Sequence, residues 1–183
     1  MSELRTFVYI GTSLDGYIAR HDGDIEWLTR FADAQAVQEY HDFTDRIDAI
    51  VIGRGTLDKV LTFPSWPYEK PVFVLSRTLE KLPDDISGPA TILNLSPTAV
   101  LDHLSKEGFA GVYVDGGQVI QDFLRQDLID ELIIAKVPVL LGGGIPLFAD
   151  LPKDLEFDHS RTTLASNGLV RSYYTRTREL VFQ

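Results

Sequence analysis

The sequence of 183 residues contains no cysteine. This absence excludes disulfide bonds, thiolate metal sites and a cysteine nucleophile, and it is typical of a reducing compartment. The sequence also lacks any run of roughly 18 apolar residues, which a membrane-spanning helix would need. Its first residues, Met1 to Arg5, lack the basic and then apolar pattern of a secretory signal. We therefore expect a cytoplasmic protein without a membrane partner.

Positive charge is scarce in this sequence. Lysine and arginine number 17 against 27 aspartate and glutamate residues, which gives a formal net charge of −10. Such a surface repels nucleic acid, so we expect no nucleic-acid partner. Any phosphorylated ligand then needs a local cluster of positive groups, because the field of the whole molecule opposes it. The four histidines are scattered, and we predict no metal site.

The pattern of apolar residues predicts one α/β domain over residues 1–183. We predict strands over 5–11, 47–52, 71–75, 90–95, 111–115 and 130–139, and helices over 33–45, 57–61, 97–106 and 118–125. Two alternating segments, 155–165 and 169–177, flank Asn167-Gly168, a dipeptide typical of hairpin turns. These elements predict a mostly parallel twisted sheet that an antiparallel C-terminal hairpin closes at one edge.

Three of the predicted strands end in residues suited to phosphate. The first runs into Gly53-Arg54-Gly55-Thr56, the second into Ser76-Arg77 and the third into Asp115-Gly116-Gly117-Gln118. If these strands are parallel neighbours, the three junctions open on the same edge of the sheet. That edge would offer helix N-termini, two arginines and two hydroxyls. Such a set can hold a ligand with several phosphates, as a dinucleotide has.

An ordered set of short motifs extends over nearly the whole chain. The segments are 13–19 (Ser-Leu-Asp-Gly-Tyr-Ile-Ala), 53–56, 74–77 (Val-Leu-Ser-Arg), 114–117 (Val-Asp-Gly-Gly), 128–132 (Leu-Ile-Asp-Glu-Leu) and 138–142 (Pro-Val-Leu-Leu-Gly). Each motif is weak alone, but their order resembles that of the dihydrofolate reductase-like superfamily. Within it, the chain more closely resembles the C-terminal reductase domain of the bifunctional riboflavin-biosynthesis protein, RibD.

The resemblance implies a three-layer fold with helices on both faces of the sheet, and a single domain of this family. It implies NADPH as cofactor and hydride transfer to a small soluble metabolite, either a pterin-, pyrimidine- or flavin-like ring or a carbonyl compound. Asp15 and Asp115 are the polar candidates for catalysis. The implied cofactor-binding residues are Gly11, Thr12, Trp27, Gly53, Arg54, Thr56, Ser76, Arg77, Gly116, Gly117, Gln118 and Val119.

Other interpretations of these residues stay open. Arg54 and Arg77 are equally compatible with solvated loop positions, and Trp27 with a plain core position. Ser13 and Asp15 fit a turn better than proton transfer. A ligand-binding module without turnover is the alternative to an enzyme, since a fold does not determine a function.

The sequence departs from its relatives at two informative positions. Folate reductases carry an acidic residue in the first helix; Asp33 lies near that position, but its flanking residues do not match, which puts folate in doubt. The riboflavin-pathway reductase has a glutamate before its double glycine, where this chain has Asp115. The deaminase domain of that protein has no counterpart in these residues. We expect a homodimer, with Leu132–Val139 and the hairpin near Tyr173-Tyr174 as interface candidates.

Overall fold

The computed structural model describes residues 4–83, 86 and 88–178. Met1 to Glu3, which belong to the stretch that was considered for a secretory signal, lie outside the described residues. Helices and strands are interspersed as far as Arg125, and the described residues beyond it form strands but no helix. The strands are β1 (Arg5–Thr12), β2 (Tyr17–Ala19), β3 (Ala49–Gly53), β4 (Val72–Leu75), β5 (Ala90–Leu93), β6 (Gly111–Asp115), β7 (Glu131–Lys136), β8 (Ile145–Pro146), β9 (Phe157–Leu164) and β10 (Val170–Arg176). The helices are α1 (Glu26–Thr29), α2 (Ala34–Thr44), α3 (Arg54–Val60), α4 (Pro97–Lys106) and α5 (Gly117–Arg125).

Eight strands form one sheet in the order β5-β4-β3-β6-β1-β7-β10-β9. All neighbours from β5 to β7 are parallel, whereas β10 runs antiparallel to both β7 and β9. The prediction of a mostly parallel sheet with an antiparallel C-terminal hairpin at one edge is confirmed. Strands β2 and β8 form a separate antiparallel pair, which the sequence did not predict because both are too short to show a period.

The sheet carries helices on both faces, as the resemblance implied. On one face α4 and α5 bury apolar side chains such as Leu104 and Phe123 against the sheet. On the other face α2 and α3 do the same with Phe43 and Leu57. Alternate side chains of a strand point to opposite faces, so the near-continuous apolar strands supply both cores. The result is a three-layer α/β fold, as the resemblance implied.

The sheet splits between β1 and β6. These strands pair only from Arg5 to Phe7 and from Gly111 to Tyr113. Beyond that point β1 continues alongside β7 as far as Thr12, and β6 continues alongside β3 as far as Asp115. The carboxyl ends of β1 and β6 therefore lie apart, and a crevice opens at the edge of the sheet where α/β proteins bind ligands.

Two predicted elements differ from the observed ones by three residues at one end, and the other predicted bounds differ by two residues at most. Helix α3 begins at Arg54 rather than at Leu57, because Gly53 ends its strand in an extended conformation and caps the helix directly. Arg54 therefore lies in the first helical turn. Strand β7 ends at Lys136 rather than at residue 139, where Pro138, which has no N–H group to donate, follows closely.

The structure corrects one part of the expected dimer interface, the segment Leu132–Val139. Strand β7 lies inside the sheet between β1 and β10, and Leu132 and Val137 are 5% and 0% exposed. The segment Leu132–Val139 therefore packs within the subunit, because both edges of its strand are already paired. The homodimer itself stays a prediction. Among the described residues, no helix is long and apolar enough to cross a membrane.

Candidate active site

A cleft of about 1120 Å³ opens at the carboxyl ends of the parallel strands. The ends of β3, β4 and β6, which are neighbours in the sheet, form its floor, and the end of β1 lies across the split. The geometric expectation that the three phosphate-type junctions share one edge is confirmed. The predicted residues that line this cleft are Gly11, Gly53, Arg54, Thr56, Ser76, Arg77, Asp115, Gly116, Gly117, Gln118 and Val119.

The junction of β6 and α5 brings backbone close to the cleft. Gly116 has a φ of +96°, a conformation that other residues rarely adopt, and a Cβ atom there would lie 2.3 Å from Oγ1 of Thr56. No side chain caps α5, so the N–H groups of its first turn, from Gly117 onward, stay available to a ligand. This turn suits a negatively charged group, since its N–H groups carry partial positive charge.

Positive side chains line the cleft despite the negative net charge of the chain. Besides Arg54 and Arg77, they include Lys59 on α3 and Arg125 at the end of α5. Arg54 is half exposed, with its Nε 3.6 Å from a carboxylate oxygen of Asp58. Sequence reasoning missed Lys59 and Arg125, although the position of Lys59, two turns after Gly53 in a helix that opens on the cleft, was a usable signal. Together these groups form the local cluster that a phosphorylated ligand requires.

The hydroxyl of Ser76 stabilises a turn and also keeps its hydrogen available for a ligand. Its oxygen accepts hydrogen bonds from the N–H groups of Thr78 and Leu79, at 3.3 and 3.0 Å. These bonds form the turn that carries Arg77 into the cleft. Because a hydroxyl also has one hydrogen to donate, Ser76 retains a donor for an oxygen of a ligand.

Asp115 lies half-buried at the end of β6, on the wall of the cleft. Burial raises the pKa of this carboxyl to about 6, while the Gly116 N–H and the nearby hydroxyls of Tyr68 and Tyr113 act in the opposite direction. Oδ1 accepts the N–H of Gly116 at 2.8 Å, and Oδ2 lies 3.4 Å from the hydroxyl of Tyr68. A carboxyl with a pKa near neutrality is suited to acid–base chemistry.

Tyrosines that sequence reasoning missed surround this carboxyl. Tyr9, Tyr68 and Tyr113 line the cleft, and Tyr40 of α2 lies behind them. Tyr113 bridges the split in the sheet, since its hydroxyl donates to the carbonyl oxygen of Tyr9 at 2.8 Å. Its position two residues before Asp115, and therefore on the same side of the strand, was a signal in the sequence. Tyr68 lies in an irregular loop, for which no period exists.

Three predicted site residues do not line the cleft. Trp27 is 4% exposed and packs against Ala135 and Leu169, because α1 turns its apolar face to the core beside β7. Thr12 is 2% exposed and lies beside the end of β7, where its carbonyl accepts the N–H of Val137. Both residues were expected to border the cofactor, and the structure corrects this by placing them in core positions away from the cleft.

Asp15 is the third residue outside the cleft. It is exposed and accepts hydrogen bonds from the hydroxyl of Ser13 at 2.6 Å and from the N–H groups of Leu141 and Gly142 at 3.1 and 2.7 Å. These donors, the Ser13 hydroxyl first, lower its pKa to about 2. The geometry favours the interpretation that Asp15 stabilises a turn, here by joining it to a second loop.

Comparison with known proteins gives a family and several relatives. The model of the RibD C-terminal domain matches residues 6–170. Uncharacterized protein YwjB of Bacillus subtilis (strain 168) is 37% identical over 178 residues, which cover 95% of this chain and 99% of YwjB. The crystal structure of a candidate riboflavin biosynthesis protein from Shewanella sp. PV-4 is 40% identical, with a TM-score of 0.89, and the match covers 96% of this chain and 100% of that one.

More distant solved structures share the fold. The bifunctional deaminase and 5-amino-6-(5-phosphoribosylamino)uracil reductase of Thermotoga maritima has a TM-score of 0.75 at 17% identity, with 96% of this chain and 57% of that chain covered. Dihydrofolate reductase from Enterococcus faecalis, in complex with NADP(H) and RAB-propyl, has a TM-score of 0.66 at 13% identity, with 95% and 97% covered. With the match of the family model over most of its length, the chain belongs to the RibD C-terminal domain family.

Proposed function

We propose that this chain is an NADPH-dependent reductase that transfers a hydride to a small soluble metabolite. The observation that carries the proposal is the cleft along which Arg54, Arg77 and the Gly116-Gly117 turn converge. Its volume of about 1120 Å³ exceeds the roughly 300–1,000 Å³ of most small-molecule sites. The cleft therefore has room for a dinucleotide together with a smaller substrate.

The residues of the cleft fit the chemistry of such a dinucleotide. The turn at Gly116 has no room for a Cβ atom, so backbone N–H groups are the surface that it offers to the pyrophosphate. Arg54 and Thr56 lie across from it at the start of α3. Ser76 and Arg77 offer a hydroxyl and a guanidinium to the adenosine 2′-phosphate, which favours NADPH over NADH.

The protein itself positions the two reactants and donates a proton. NADPH, when bound, supplies the hydride, and the protein needs only to hold the two reactants in line. Asp115 is the proton donor in this proposal, because it lines the cleft and its pKa of about 6 leaves part of it protonated near neutral pH. The family match supports a pyrimidine-reductase type of reaction. The substrate is a pterin-, pyrimidine- or flavin-like ring or a carbonyl compound.

Titration with NADPH and NADH, followed by fluorescence, tests the cofactor. We expect the wild-type protein to bind NADPH with a Kd of tens of micromolar or below, an order of magnitude in the range of usable cofactor affinities. Arg77→Ala should weaken NADPH binding by roughly tenfold or more, the effect of one charge-assisted hydrogen bond, and leave NADH unchanged.

Arg161→Ala is the matched control, since Arg161 lies on β9 over the ring of Tyr173 and outside the cleft. It should change neither affinity. Equal weakening of NADPH and NADH by Arg77→Ala would remove the 2′-phosphate assignment. Binding of NADPH without its oxidation across pterins, pyrimidines, flavins and carbonyl compounds would favour a binding module, and no binding at all would contradict both functions.

A further inference from the structure

The carboxyl of Asp115 has phenol groups from three different elements around it. Tyr113 precedes it on β6, Tyr40 comes from α2 and Tyr68 from the loop after α3. The negative charge of Asp115 raises the pKa values of Tyr40, Tyr68 and Tyr113 further than burial alone. Among the ion pairs of the described residues, none includes Asp115. Phenol hydroxyls and one backbone N–H are therefore the groups that stabilise its charged form.

The two oxygens of this carboxyl have different surroundings. Oδ1 accepts the N–H of Gly116 at 2.8 Å, and that bond requires a lone pair rather than a hydrogen on the oxygen. A proton on the carboxyl is therefore favoured on Oδ2. The hydroxyl of Tyr68 faces this second oxygen at 3.4 Å. The separation is long for two oxygens, but such bonds in enzymes without bound substrate often shorten when the substrate binds.

We propose that Tyr68 is a positioning residue for proton donation by Asp115. This inference rests on the proposed reductase function. Tyr68 fixes the orientation of Oδ2 toward the cleft, and its hydroxyl donates to Oδ2 once the proton has left. A donor aimed at the charge that develops during the reaction lowers the barrier, because it stabilises the product of proton transfer more than the starting acid.

The proton transfer balances as follows. The O–H bond of Asp115 breaks and its electron pair stays on Oδ2, leaving a carboxylate. The proton forms a bond to one atom of the substrate double bond, while the hydride from the reduced cofactor adds to the other atom. The double bond thus gains two electrons and two hydrogens, and Asp115 regains its proton from water before the next turnover.

Tyr68 has this role rather than Tyr113 because the two hydroxyl groups donate to different acceptors. A phenol has one hydrogen to donate. That of Tyr113 is engaged with the carbonyl oxygen of Tyr9 at 2.8 Å, in the bridge across the split sheet. Among the described residues, the hydroxyl of Tyr68 has Asp115 as its hydrogen-bond partner and no other.

The loop that carries Tyr68 is built to hold it. The rings of Trp66 and Tyr68 meet edge to face, with centroids 5.5 Å apart and an interplanar angle of 78°. Trp66 in turn rests against Gly88, where a Cβ atom would lie 2.2 Å from the indole nitrogen. Tyr68 also packs with the apolar side chains that cover the α2 and α3 face of the sheet. An irregular segment thereby presents a fixed phenol to the cleft.

Tyr68→Phe tests the inference, because it removes the hydroxyl and keeps the ring. The first measurement is the titration of Asp115 by carbon NMR of the labelled carboxyl in the cofactor-free protein. We expect a wild-type pKa of about 6 and a higher value in the variant, since the carboxylate loses a donor. Tyr174→Phe is the matched control, since Tyr174 of β10 packs against His159 of β9 outside the cleft. This control variant should leave the titration of Asp115 unchanged.

The second measurement is kcat against pH with a substrate found in the reductase screen. We expect the rate of Tyr68→Phe to fall on the order of tenfold at low pH, with the decline at high pH displaced upward and the KM for NADPH unchanged. An unmoved Asp115 titration, or a rate lowered equally at every pH, would overturn the positioning role alone. If the titration moves as expected but no substrate is reduced, the reductase function fails and the positioning role fails with it.

Discussion

Two of the three Asp-Gly dipeptides in the chain, at Asp15 and Asp115, have aspartates that behave in opposite ways. Asp15 is exposed and receives hydrogen bonds from a hydroxyl and two backbone N–H groups, and its pKa falls to about 2. Asp115 is half-buried among phenols, with one short bond from a backbone N–H, and its pKa rises to about 6. The same dipeptide thus gives a fixed negative charge in one place and a titratable acid in the other, since the number of donors and the degree of burial decide the result.

The two turns also differ in what they connect. The turn at Asp15 joins the loop after β1 to the segment around Leu141 and Gly142, so its charge holds two loops together. The turn at Asp115 leads from a buried strand into α5 and faces the cleft. An aspartate before glycine therefore has no single role in this fold, and matched substitutions in the two turns test how far the difference extends.

The largest difference is expected in turnover. Asp115→Asn removes the proposed proton donor and should lower kcat by about 10²–10⁴, the usual contribution of general acid catalysis. Asp15→Asn should leave kcat nearly unchanged, because Asp15 lies outside the cleft. The measurement is steady-state NADPH oxidation with the substrate found in the screen. Equal losses in the two variants would contradict the separation of roles.

Much of the site could be predicted from the sequence because parallel strands place their carboxyl ends on one edge. Arg54, Arg77 and Gly116 follow three strands that turn out to be neighbours, so a one-dimensional pattern was enough to bring them together. The same pattern did not separate a sheet interior from a dimer surface for β7, because an apolar strand suits both positions, and the structure places β7 between β1 and β10.

The remainder of the site depends on contacts that leave no local pattern. Tyr68 reaches Asp115 from an irregular loop, 47 residues away in the chain, and nothing near it in the sequence indicates that approach. Trp27 is equally suited by type to a pocket or a core, and the rotation of the short helix α1 decides in favour of the core. The choice between Asp15 and Asp115 required their surroundings, which only the folded chain provides.

The two glycines allow a second, smaller test of the comparison. Gly16 has a φ of +84° and no heavy atom within 4 Å of the place where an added Cβ atom would lie, so Gly16→Ala should cost only the backbone strain of about 1–2 kcal/mol. Gly116→Ala adds a contact with Thr56 and should cost about 3 kcal/mol or more in the free energy of unfolding. Urea unfolding measures both. Adding Thr56→Ala should recover the part due to the clash; similar costs for the two alanines would show that Thr56 simply moves away.

The smallest effect concerns stability against pH, where the two aspartates should differ in sign. The folded pKa of Asp115, about 6, lies above the value of about 4 for an unfolded chain, so the wild-type protein loses stability as pH rises from about 4 to about 6. Asp115→Asn carries no titrating group at this position. Its free energy of unfolding should therefore rise by about 1 kcal/mol relative to the wild type between about pH 4 and about pH 6; solvent on one side of the carboxyl keeps this difference small.

The folded pKa of Asp15, about 2, lies below the unfolded value, so its contribution is present above pH 4 or so and is lost as pH falls toward about 2. Asp15→Asn should therefore be less stable than the wild type at neutral pH and approach it in acid. Melting temperatures of the three proteins from about pH 3 to about pH 7 measure both trends, and curves that run parallel throughout would show that neither carboxyl changes its pKa on folding.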